Sequence, residues 1–520
     1  MTPTPPQVII GLDVGTTGVK AAAFGLGSPW RGMAVRRYPL LRPAPGQEVQ
    51  DPAVIIAATT AALAECVATV GAAEVIGVSL SAAMHGLLAL DADLRPISPL
   101  ITWADERASQ EAADLARQPA ALDLQEITGT PVHPMTPMAK LVWFRHHDQA
   151  TWKAARWWAG LKDYLLWWLT GTFATELSSA SGTGLLDASS RAWSPLALAA
   201  SGVAPARLPE IMATTDVLPL GHRVAAAVGL AAGTPVVVGA ADGPLANLGT
   251  GAINPGVAGL SLGTSGAIRV AVDGPRTDRR GRLFCYALAD PVWVVGGAVS
   301  NGAEVLRWAE GVLGSGSSVG EDGASPSGEM TPQPTGPIAE SSDGLVMLPF
   351  ILPERAPMWD RDLAGAYLGL RHHHSAANLR RAAMEGVCMQ MRLLLDRVDD
   401  CHPVTSIRAT GGAFGSKLWR DLMAAALDRP LIVVGDEDGT AFGAAALGLV
   451  ALGAAPGLHE ALATLGGVST GTPVTASSEQ VAAFADLHRQ LGALLAALAR
   501  TVDVGPTEGR TARDPQDLPR

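Results

Sequence analysis

The chain has 520 residues, 48% of them hydrophobic and 17% charged, which excludes a disordered protein and exceeds what one core can bury. A formal net charge of −11 argues against nucleic acid and anionic membrane surfaces as partners. Four scattered cysteines without a CxxC pair exclude a zinc site and a disulfide framework; with no apolar run of spanning length expected and no signal-like start, a cytoplasmic protein of two large domains is the default.

The first informative stretch is IIGLDVGTTGVKAAAF, residues 9–24. An apolar run reaches Asp13, a turn of Gly15, Thr16, Thr17 and Gly18 follows, and Lys20 opens a second apolar run. Two strands joined by such a turn expose backbone N–H groups and hydroxyls that suit phosphate oxygens. A carboxylate at the place of Asp13 suits magnesium beside those phosphates, and Lys20 adds a positive charge. An ordinary glycine-turn hairpin fits the same residues. The spacing is neither a Walker A loop nor a dinucleotide fingerprint.

Residues 7–40 read as three strands, 53–70 as an alanine-rich helix and 75–82 as a buried parallel strand, which is an α/β order. Met84 and His85 follow that last strand, at the end where open α/β sheets place ligands. His85 is read either as a ligand or as a satisfied histidine beneath a loop. Next, Trp103, Asp105, Glu106 and Arg107 open a helix. The acids suit its dipole, whereas an aromatic face with a guanidinium suits a polyol or sugar acid. GTPVHPMTPMAK, ending at Lys140, is a proline-stiffened loop before a tryptophan-rich helical region that reads as packing. In VVVGAADGPLANLGTGA (236–252), Asp242 ends a buried strand. It either caps the next helix or projects as a general base, and the two roles are compatible.

VAGLSLGTSGAIRVAV (257–272) repeats the first hairpin, with Gly259 on Gly11, Gly263 on Gly15, Thr264 on Thr16 and Gly266 on Gly18. Asp13 becomes Ser261 and Lys20 becomes Ile268, so only the first copy is charged at those positions. A duplicated fold gripping nucleotide phosphates from both sides of a cleft follows from the pair. Residues 313–343 read as a surface insertion. His372, His373 and His374 read as an exposed helix start, because no further ligands lie at suitable spacing. A strand, a Gly411-Gly412 turn and a helix from about Ser416 follow, and the tail after about residue 500 is polar.

GLDVGTTGVK, SAAMHG, GAADGPLANLGTG, SLGTSG, LPFILPERAP and GGAFGSKLWRDLMAAAL, in this order, resemble the FGGY family of carbohydrate kinases. The resemblance covers about residues 8–465, and AMHGLLALD, ITWADERA, GTPVHPMTPMAKLVW and VGGAVSNGAEVLRW look most like its gluconokinase branch. It implies two ribonuclease-H-like lobes of the actin-like ATPase type, about 1–252 and 253–500, with ATP held by the second and the sugar mostly by the first. It further implies Mg2+ at Asp13 and phosphates at Gly15, Thr16, Thr17, Lys20, Gly263, Thr264 and Ser265. Adenosine would face Gly411 and Gly412, and Asp242 would act as base. Substrate would meet Met84, His85, Trp103, Asp105, Arg107, Lys140 and Asp242. Gluconate would then be phosphorylated at its C6 hydroxyl.

An acid substrate needs local positive charge in a protein of net charge −11, and Arg107 or Lys140 is the expected partner of its carboxylate, among Lys162, His85 and His133. A xylulokinase-like specificity for a ketopentose and an actin- or chaperone-like ATPase without an acceptor are the competing readings. The partners expected are a small sugar acid or polyol and ATP, with no nucleic acid or membrane; a homodimer is compatible with the sequence.

Overall fold

The computed structural model describes residues 6–313, 336–435, 439–468 and 471–501. Most of the insertion expected at 313–343 and nearly all of the tail after 500 lie outside the described residues.

The first hairpin forms as its pattern predicts. Strands β1 (Gln7–Val14) and β2 (Gly18–Gly25) pair antiparallel, with Asp13 opposite Lys20. With β3 (Arg31–Arg37), β4 (Glu74–Ala82), β5 (Val217–Pro219) and β6 (Pro235–Ala241) they make a six-stranded sheet ordered β5-β6-β4-β1-β2-β3. Strand β1 is apolar on both faces because both are covered. Val8, Ile10 and Leu12 join one core with Ile55 and Leu63, while Ile9 joins another with Ala444 and Leu447.

Helix α1 (Pro52–Val70) covers the first face. Asp51 caps it by accepting from Ala53 N–H at 2.8 Å, and Pro52 starts it where no amide is needed. By length and composition this helix is apolar enough to cross a membrane, contrary to the expectation that no such run exists. Its Ile55, Ala62, Leu63 and Cys66 are instead buried against β2 and β3, so its apolar character is that of a core helix. The opposite face carries α2 (Gly439–Ala451), whose small residues let backbones meet: a methyl on Gly11 would lie 2.0 Å from Ala441 O.

A second six-stranded sheet contains β7 (Val257–Leu262), β8 (Gly266–Asp273), β9 (Phe284–Ala289), β10 (Val292–Val299), β11 (Ser406–Thr410) and β12 (Leu431–Val433). Its order is β9-β10-β8-β7-β11-β12. Apart from β9, this matches β3-β2-β1-β4-β6 strand for strand, so the duplication seen in the hairpins extends to the topology.

Two compact units emerge, and they do not follow a single cut in the sequence. The first holds Met1–Gly259, Arg269–Gly296 and Val434–Ser469; the second holds Leu260–Ile268, Gly297–Val433 and Thr470–Arg520. Helix α2 joins the first unit because its glycines and alanines pack on β1, β4 and Asp242–Gly249.

Candidate active site

Three adjacent parallel strands end together in the first unit. Asp13 on β1 pairs in register with Ser81 on β4, and Ala240 and Ala241 on β6 pair with Ser81 and Ala82. This is where parallel sheets present ligands. Ser81 Oγ donates to Asp13 Oδ1 at 2.9 Å. Strand β6 slips register between Val237 and Ala240 around Gly239, where φ is +74° and an added Cβ would lie 1.8 Å from Leu80 O, so no side chain fits. That bulge aims the strand end bearing Asp242.

Asp242 is the first residue of a short helix, Asp242–Gly249, and Oδ1 accepts from Gly243 N–H at 2.7 Å. The cap position is Ala241 and no side chain caps the helix, so Asp242 stands inside the first turn and the capping role read for it is not the one it takes. Burial, and then the negative charge of Asp13, push its pKa up to about 6; the Gly243 amide and Arg269 oppose this. Asp13 is likewise raised, by burial, against Ser81 and Lys20. Two oxygen-donor carboxylates that disfavour each other's charge fit a hard divalent cation, which would relieve the repulsion.

The turn of the first hairpin is closed by Gly15 N–H to Gly18 O at 2.9 Å and held from outside. Trp103 Nε1 donates to Thr16 Oγ1 at 2.9 Å, Gln50 Nε2 to Thr16 O at 2.5 Å, and the Tyr38 hydroxyl to Gly15 O. Trp103 thus fixes the turn that sequence reading assigned to phosphate. Thr17 is exposed on this turn, and Lys20 lies opposite Asp13.

His85 adopts φ +63° and its Nδ1–H donates to Gly182 O at 2.7 Å; its ring meets Tyr286 edge-on, with centroids 5.6 Å apart. Met84 lies beside it, 9% exposed. Lys140 is fully buried and donates to three carbonyls, His85 O at 2.6 Å, Thr102 O at 2.7 Å and Met135 O at 2.8 Å. Arg107 grips Asp105 through Nε and Nη2, both at 2.8 Å, and lies over Trp143. Asp105 also accepts from Glu48 N–H at 2.7 Å. The structure therefore commits both cations expected to meet a substrate carboxylate to partners within the protein. Lys162 pairs with Glu176 at 3.0 Å, again buried. It helps line a small pocket together with His85, Asp163 and Trp158.

In the second unit the repeated hairpin is tighter, closed by Gly263 N–H to Ser265 O at 2.9 Å. Behind it, Gly302 N–H donates to Thr264 O at 3.1 Å and Ala303 N–H to Gly263 O at 2.9 Å, leaving Thr264 exposed. The supporting loop is held by Glu354, a buried carboxylate that accepts from Ser300 N–H, Arg355 N–H, Asn301 Nδ2 and Gln390 Nε2. Its role was not legible from its proline-bounded segment, because all its donors but Arg355 N–H come from two distant stretches, Ser300–Asn301 and Gln390. Gly411 packs against the hairpin, 2.4 Å from Leu262 O at its missing Cβ, and Gly412 opens a 3-10 turn leading to the helix Lys417–Leu427.

Two residues carry no signal in the sequence, Arg269 beside Asp242 and Tyr286 against His85. Arg269 lies on β8 just past the second hairpin, and a methyl on Gly243 would sit 3.6 Å from its Nη2 and from Met84 Sδ. Both residues sit in strands that carry no local signal beyond an apolar pattern.

The duplicated α/β fold, with a mixed sheet in each half, is that of a phosphotransferase of the actin-like ATPase class. The chain belongs to the FGGY family of carbohydrate kinases: the family's N-terminal domain matches residues 8–249 and its C-terminal domain residues 258–452. It is 32% identical over 492 residues to a gluconokinase of Bacillus subtilis, covering 94% of this chain and 96% of that one. It is 30% identical to a xylulose kinase of Escherichia coli, with 88% and 92% covered. The crystal structure of gluconate kinase from Lactobacillus acidophilus superposes with a TM-score of 0.85 at 28% identity, over 94% of this chain and 98% of that one.

Proposed function

We propose that the protein transfers the γ-phosphoryl group of Mg-ATP to the C6 hydroxyl of D-gluconate, giving 6-phospho-D-gluconate and ADP. The observation that carries the reading is Asp242, a carboxylate beside Asp13 with its pKa raised to about 6, able to accept the hydroxyl proton near neutral pH. Asp13 would hold Mg2+ directly or through water, and the ion would neutralise phosphate charge. The hairpin turns at Gly15, Thr16 and Thr17 and at Gly263, Thr264 and Ser265, with Lys20, hold phosphate oxygens, and Gly411 and Gly412 face adenosine. Met84 and His85 form the acceptor wall, while Trp103, Asp105, Arg107 and Lys140 shape the loops around it. Such a site works by positioning and charge neutralisation, which is what phosphoryl transfer demands. The gluconokinase relative supports the acid acceptor, and the xylulose kinase relative keeps a ketopentose as the competing reading.

ADP release with Mg-ATP across D-gluconate, D-xylulose, L-ribulose, glycerol and no acceptor tests this, with Asp242→Asn alongside. Stimulation by gluconate above all others, lost in the variant, is the expected result. Preference for another polyol would overturn the substrate, and turnover indifferent to every acceptor would overturn the acceptor site.

A further inference from the structure

We propose that Arg269 receives the carboxylate of the sugar acid and so sets the preference for an acid over a neutral polyol. This rests on the gluconate reading above. An anionic substrate entering a protein of net charge −11 requires a cation placed at the acceptor site. The lysines and arginines of that region are Lys20, held opposite Asp13, three others engaged within the protein, and Arg269. Lys140 has three N–H bonds and directs all of them to carbonyls. Arg107 closes its fork on Asp105, and Lys162 is buried against Glu176. Among the described residues Arg269 makes no hydrogen bond or contact ion pair, and Asp242 acts on it through space.

Its position suits the role. The guanidinium borders Gly243, which Met84 also approaches, next to the carboxylate that takes the hydroxyl proton, and the residue is half-buried. A six-carbon acyclic acid is long enough to set its C6 hydroxyl at Asp242 and bend its C1 carboxylate onto this fork. A planar guanidinium with its donors uncommitted pairs a carboxylate through two parallel bonds, which an ammonium cannot do. Burial makes the charge costly before a substrate binds, and Asp242 offsets that cost in part. A substrate carboxylate completes the compensation.

The test compares kcat/KM for D-gluconate and D-gluconamide, the same chain with a neutral amide, in the wild type, Arg269→Met and Arg269→Lys. The wild type should prefer the acid by about 100-fold, and Arg269→Met should cut that preference to within about 5-fold, chiefly through KM. Arg269→Lys should keep an intermediate preference, and it carries the test if thermal melting shows that the Met variant does not fold. A preference unchanged in the folded variants overturns the assignment. So does an equal loss of kcat for both substrates, which would place Arg269 on the phosphoryl group or on Asp242 instead. A wild type that uses neither compound but phosphorylates D-xylulose overturns the gluconate reading itself, and the role of Arg269 with it.

Discussion

Lys140 Nζ lies 2.6 Å from the carbonyl oxygen of His85, and this bond ties a helix to a residue held in the left-handed region at φ +63°. The other two donors of the same ammonium reach Thr102 O and Met135 O, so one buried charge joins three loops that surround the acceptor site. A left-handed non-glycine residue costs on the order of 1 kcal/mol and persists only where its surroundings impose it. Lys140 supplies that imposition.

Lys140→Met should therefore leave three carbonyls without their donor and release the His85 turn. The expected loss is about 3 kcal/mol or more of stability, read as a lower Tm, with at least a tenfold higher KM for the acceptor. A variant with wild-type Tm and KM would show that the ammonium is dispensable.

Asp242→Asn should lower kcat by about 10²–10⁴-fold, the range for loss of a general base. It should also raise stability near pH 8. Asp242 has a folded pKa of about 6, above its model-peptide value of 3.8, so its favourable contribution is present in acid and is lost as pH rises through about 6. Thermal unfolding should show the variant ahead of the wild type at pH 8, with the gap narrowing towards pH 4.

The same titration should set the pH dependence of activity. Wild-type kcat/KM should fall as pH drops below about 6, approaching tenfold per unit, because the protonated carboxyl cannot accept the hydroxyl proton. A flat acid limb down to pH 5 would remove Asp242 from the role of base.

Asp13→Asn should raise the Mg2+ concentration needed for half-maximal activity by about tenfold or more, while the fold survives, since Ser81 can still bond an amide. Magnesium titration of ADP release reads this directly. Equal Mg2+ requirements in both proteins would place the ion elsewhere.

Gly239→Ala should be among the most damaging single-methyl changes in the chain. The added carbon would lie 1.8 Å from Leu80 O at a φ of +74°, so strands β4 and β6 must part and Asp242 must move with them. Loss of soluble folded protein or of most activity is expected, checked by expression, melting temperature and ADP release.

The sequence by itself determined the α/β class, the duplicated hairpins and the place of Asp13 and Asp242 at strand ends, because these depend on short-range signals: apolar runs, glycine turns and residues within one strand end. What only the tertiary structure decided was how charge is used. Lys140 and Arg107 read equally well as substrate cations until His85, Thr102, Met135 and Asp105 are seen to hold them. Arg269, in an apolar strand that offers no motif, becomes a site residue only because the fold sets it beside Gly243 and Asp242. A buried cation is defined by its partners, and partners are brought together by the topology of the sheets rather than by spacing along the chain.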